Sequence, residues 1–117
     1  MHPGLTNEVA REFAAGLARR LGDELIRVSL YGSRARGEGR LRSDFDLLVV
    51  LRRAADEARD AVHRLATEVE LEQNVDLSTK ILDRDRFEQL RRSSLPFWRS
   101  FAREEKILWP TTKPPSE

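Results

Sequence analysis

The sequence contains no cysteine. Disulfides and thiolate-bound metals are therefore excluded, and a reducing compartment suits the chain. It also lacks an excess of charge of either sign. Lysine and arginine number 21 against 20 aspartates and glutamates, for a formal net charge of +1. No whole-protein field draws in nucleic acid, which is not expected as a partner. Long hydrophobic runs are missing too. The longest, Leu47 to Leu51, falls far short of the roughly 20 residues that span a bilayer, so no membrane association is expected. The opening "MHPGLTNEVAREF" has no basic start leading into an apolar stretch, unlike a secretory signal. A cytoplasmic protein is expected. The two histidines, His2 and His63, have no partner at ligand spacing.

What remains is a heavily charged soluble composition, 39% hydrophobic and 35% charged over 117 residues. That length suits one core and is too short for two. One domain is expected over residues 1–109. The proline-rich "PTTKPPSE" of residues 110–117 reads as a flexible tail.

Hydrophobic spacing outlines the elements. Leu5, Val9, Phe13, Leu17 and Leu21 recur every four residues, with Ala10, Ala14 and Ala18 beside them. They predict an amphipathic helix capped by Thr6 or Asn7 and closed by Gly22. "LIRVSLY", residues 25–31, alternates and predicts a strand ending at Gly32. "FDLLVVL", residues 45–51, is apolar on both parities from Leu47, as befits a central strand covered on both faces. Residues 54–72 predict a helix with the stripe Ala58, Val62, Leu65, Ala66 and Val69. "NVDLSTKIL", residues 74–82, predicts a strand with Asp76, Ser78 and Lys80 opposite Val75, Leu77, Thr79 and Ile81. Asp83 is placed to cap a short helix, and Pro96 to open another whose Phe97, Trp98 and Phe101 read as core, an exposed subset of them being expected to mark a partner surface. "KILW" predicts a closing strand. The order predicts an α/β or α+β fold, a small mixed sheet with helices packed on it.

The chemistry is concentrated in "YGSRARGEGRLRSDFDLLVV", residues 31–50. Asp44 and Asp46 alternate at the mouth of a buried strand, so both carboxylates point to one face. Unscreened, they repel. A divalent cation removes the conflict, and Mg²⁺ is commonly held by carboxylates, water and substrate phosphates. A third carboxylate on a neighbouring strand would complete a two-metal site, and Asp76 is the candidate. Two such ions stabilise the entering and leaving oxygens of a displacement at phosphorus, which implies a polyphosphate substrate. Gly32 lets backbone N–H groups approach the remaining phosphates, and Ser33 adds a hydroxyl. Arg34 and Arg36 are placed to add charge-assisted hydrogen bonds.

Gly32-Ser33, a spacer, then Asp44-Phe45-Asp46 resembles the DNA polymerase β-like nucleotidyltransferase superfamily. The fuller string, G-S-R-A-R-G up to S-D-F-D-L-L-V, is similar to its minimal nucleotidyltransferases, the MNT proteins. Asp76 in "VDLS" matches that family's third carboxylate, and "FAREEKILW" resembles its closing segment, with Glu104-Glu105 where the family often has Glu-Gly. The resemblance implies that Asp44 and Asp46 bind two Mg²⁺ ions. It implies that Asp76 is ligand and general base, and that Ser33 contacts the β- and γ-phosphates of ATP. The implied reaction is attack of a hydroxyl on the α-phosphorus, with release of pyrophosphate.

Too little chain follows Asp76 for an acceptor-binding domain, so the acceptor is expected on a partner or on a second copy in an oligomer. MNT proteins pair with helical HEPN toxins. By resemblance the chain is an antitoxin that transfers AMP to a tyrosine of such a toxin. Two alternatives stand beside this: a non-catalytic antitoxin acting by occlusion, and a transferase acting on a small hydroxylated molecule such as an aminoglycoside.

Overall fold

The computed structural model describes residues 3–32, 35 and 44–111, the first five of them by backbone alone. Helix α1 (Pro3–Leu21) leads through a 3-10 turn (Gly22–Glu24) into strand β1 (Leu25–Tyr31). Strand β2 (Phe45–Leu51), helix α2 (Asp56–Gln73) and strand β3 (Leu77–Asp83) follow. Helices α3 (Arg84–Arg91) and α4 (Pro96–Glu104) and strand β4 (Lys106–Trp109) complete the order. α1 starts at Pro3, whose fixed φ suits a first turn. Thr6 and Asn7 therefore lie inside the helix rather than capping it.

The strands form one mixed sheet in the order β3-β2-β1-β4. β1 runs antiparallel to both β2 and β4, whereas β3 is parallel to β2. β2 is central, as its double-sided apolar pattern requires, and Leu47 to Leu51 are all fully buried. On one face Leu47 and Val49 pack with Phe13, Leu17, Val62 and Leu65 of α1 and α2. On the other, Leu48 and Val50 pack with Phe87, Trp98 and Phe101 of α3 and α4. Each such side chain contributes roughly 1.5–3 kcal/mol by leaving water. The α2 stripe buries the five residues that its spacing predicts.

Caps set the boundaries. The Asp83 carboxylate accepts from the Arg86 N–H at 2.7 Å and starts α3. Pro96 occupies the first turn of α4. β3 begins at Leu77, three residues later than its alternation suggests, because Asn74 adopts the left-handed conformation that closes α2. Glu70 then braces the turn, its carboxylate accepting from the Leu77 N–H at 2.9 Å. Among the described residues no helix is long and apolar enough to cross a membrane.

Candidate active site

Strand direction gathers the candidate residues at one end of the sheet. β1 runs toward that end and stops at Tyr31, next to Gly32. β2 is antiparallel to β1 and therefore starts there, with Asp44 and Asp46. β3 is parallel to β2 and starts there too, immediately after Asp76. The pairing of Phe45 with Leu77 sets Asp44 and Asp76 side by side, one step before the paired residues. The Phe45 N–H donates to the Asp76 carbonyl at 2.9 Å, tying the two strand heads together.

Asp46 is the best-defined member of the group. It pairs across the sheet with Tyr31 on one side and Ser78 on the other. Its side chain points to the face that carries Leu48 and Val50. Burial, and then the negative charge of Asp44, push its carboxyl above the usual aspartate value. Gly32 lies directly beneath. It has φ +79, and a Cβ there would stand 2.5 Å from Asp46 Oδ2. Glycine suits both the conformation and the space, because any Cβ there would push Asp46 Oδ2 aside. The Gly32 carbonyl accepts from the Ala35 N–H at 3.1 Å, closing a turn around the cradle. Tyr31 completes the floor. Burial and the Asp46 charge raise its phenol above the ordinary value.

Asp76 joins this group through its backbone. Among the described residues, no three Asp, Glu or His side chains are drawn into a cluster that could hold a metal ion. Asp44 and Asp76 are exposed, and like charges open to water favour separation. Ser33, Arg34 and Arg36 lie outside the described residues. A cavity of about 1040 Å³ opens at the opposite end of the sheet, against Ile26, Arg27 and Trp109, and takes no part in this arrangement.

A sequence profile of the nucleotidyltransferase domain matches residues 10–108. The chain belongs to that family. This nucleotidyltransferase is also similar to a solved structure described as a minimal nucleotidyltransferase. The TM-score is 0.59 at 28% identity, over 91% of this chain and 95% of that one. A nucleotidyltransferase structure from Sulfolobus solfataricus superposes with a TM-score of 0.56 at 20% identity, over 87% of this chain and 78% of that one. A chain of a toxin–antitoxin structure with AMP-PNP gives 0.54 at 24% identity, over 87% and 74%. The last two likenesses speak for the fold alone. A search of curated proteins finds no match. The expectation of a mixed α/β nucleotidyltransferase fold is met.

Asp44 and Asp46 together offer carboxylate oxygens, the donor type that a hard divalent cation takes, and the Asp46 charge is opposed by both its burial and its neighbour Asp44. A cation there would reverse that opposition.

Two further features escape a reading of the sequence alone, one beside this group and one farther back along β1. Phe97, grouped there with the core aromatics, is 45% exposed, while Trp98 and Phe101 are buried. It lies against Tyr31, ring centroids 5.9 Å apart and planes perpendicular. Glu105 accepts from the fully buried Ser29 hydroxyl at 2.6 Å and pairs with Arg27, fastening the end of α4 to β1. The Arg27 guanidinium lies 5.2 Å from the Phe87 ring centroid.

Proposed function

We propose that this nucleotidyltransferase moves AMP from ATP to a tyrosine hydroxyl of a helical HEPN-type toxin in the cytoplasm, and so acts as its antitoxin. The observation that carries the reading is the Asp46 carboxylate seated over Gly32 beside Asp44, at the end of the sheet where the head of β3 also lies. Family membership supports the reaction class. The toxin–antitoxin structure with AMP-PNP, built on a similar fold, supports the nucleotide and the kind of partner.

In this reading Asp44, Asp46 and Asp76 would hold Mg²⁺, which when bound supplies charge stabilisation to the entering and leaving oxygens. Gly32, with no side chain, would let its N–H approach a phosphate oxygen, and Ser33 would add a hydroxyl donor. Arg34 and Arg36 offset further phosphate charge. Asp76, exposed just before the edge strand β3, would take the proton of the acceptor hydroxyl. The acceptor oxygen then bonds to the α-phosphorus, the bond to the bridging oxygen breaks, and pyrophosphate leaves.

The test is to incubate the full chain with ATP, Mg²⁺ and the product of the adjacent gene, then weigh that product. A mass gain of AMP on tyrosine, lost with EDTA and in Asp46→Asn, is expected. An unmodified partner that is nonetheless neutralised would overturn transfer in favour of occlusion.

A further inference from the structure

We propose that Phe97 is the platform on which the base of the nucleoside triphosphate stacks. This rests on the nucleotidyl-transfer reading and adds to it the position of the base. In an in-line displacement the attacking and leaving oxygens stand on opposite sides of the phosphorus. Here the leaving pyrophosphate belongs over Gly32 at the end of β1, and the attacking hydroxyl beside Asp76 at the head of β3. These strands flank β2 and its aspartates. Both in-line directions therefore run across the end of the sheet, and the nucleoside must leave along a third.

On the face that carries Asp46, the first turn of α4 reaches this end. It sets Phe97 against Tyr31, the residue that pairs with Asp46 and precedes Gly32. The Phe97 ring is held by Tyr31 at 5.9 Å, by Trp98 at 4.8 Å and by Phe101 at 6.3 Å. It is nevertheless 45% exposed. A ring braced by three aromatics has little freedom left to lose when a ligand covers it. Every base offers a π-face, so such a platform tolerates base identity.

The experiment measures binding of ATP, GTP and inorganic tripolyphosphate to the full chain with Mg²⁺, by calorimetry and by tryptophan fluorescence. Wild type is compared with Phe97→Ala, Phe97→Leu, Phe97→Tyr and Leu95→Ala. Phe97→Leu keeps apolar bulk against Tyr31 and guards against a folding defect. Phe97→Ala and Phe97→Leu are expected to weaken ATP and GTP about 5- to 150-fold and to leave tripolyphosphate unchanged. Phe97→Tyr and the neighbouring Leu95→Ala are expected to bind like wild type. Equal weakening of ATP and tripolyphosphate, or no weakening of ATP, would overturn the platform while leaving the transferase reading intact. Loss of partner capture with ATP binding retained would assign the ring to a protein contact and overturn it as well. A wild-type chain that binds neither ATP nor tripolyphosphate would remove both readings.

Discussion

The contact between Gly32 and Asp46 can be separated from simple backbone strain, because the chain carries an internal control. Gly22 and Gly32 both have positive φ, +54 and +79, but a Cβ at Gly22 would meet nothing within 4 Å. At Gly32 it would stand 2.5 Å from Asp46 Oδ2. Alanine at either position is expected to cost about 1–2 kcal/mol for the left-handed backbone, seen as a drop of a few degrees in Tm for a chain of this length. At Gly32 the clash adds a second effect. The obstructing atom ends a short side chain, so Asp46 can rotate away and limit the loss of stability. Rotation moves its carboxylate off the site, however, and a displacement of about 1 Å can cost about 100-fold in rate. Gly22→Ala should therefore lose stability and keep activity. Gly32→Ala should lose comparable stability and about 100-fold or more in AMP transfer. Urea unfolding measures the first quantity and partner modification the second. If Gly32→Ala transfers AMP as fast as Gly22→Ala, Asp46 does not work from its seat over Gly32, and the account of the site fails.

Other outcomes follow from the same geometry. Asp46→Asn should abolish transfer, yet leave the metal-free fold as stable as wild type or more so, since it removes a partly buried charge facing Asp44. A clear loss of stability in EDTA would mean that Asp46 is a structural residue. Because the Asp46 carboxyl is raised in the fold, folded wild type takes up that proton more readily than the unfolded chain. The stability this brings is full below the ordinary aspartate range and is lost as pH rises through the raised value. In EDTA the advantage of Asp46→Asn should accordingly shrink from pH 7 toward pH 4, and a gap independent of pH would contradict the assignment. Glu105→Ala strands the Arg27 guanidinium and the Ser29 hydroxyl, both largely shielded from water, and should cost about 2–4 kcal/mol in urea unfolding. Replacing Arg27 and Glu105 together with leucine, and Ser29 with alanine so that no buried hydroxyl is left unpaired, should recover most of that loss; no recovery would mean that the ion pair contributes more than it costs to desolvate.

The parts of this architecture that periodicity can encode are legible in the sequence itself. β2 is apolar on both parities and is the buried central strand. The stripe of α2 names its own buried residues. The two aspartates at alternate positions announce a shared face. What periodicity cannot carry is register between strands, and the site depends on it. Nothing local says that Tyr31 pairs with Asp46, that the Gly32 cradle opens under the same carboxylate, or that Asp76 stands at the head of β3 rather than within it. That last boundary depends on the Glu70 carboxylate, seven residues upstream, reaching the Leu77 N–H.

Phe97 shows the same limit on a helix. At about 100° per residue, Phe97 and Trp98 lie on either side of Phe101, so the three rings span too wide an arc for one line of contact. Trp98 and Phe101 turn in beside Phe87 and are covered. Phe97 turns toward Tyr31, where β1 ends. Hydropathy groups the three rings together. Burial separates two core residues from one that stays largely uncovered beside Tyr31.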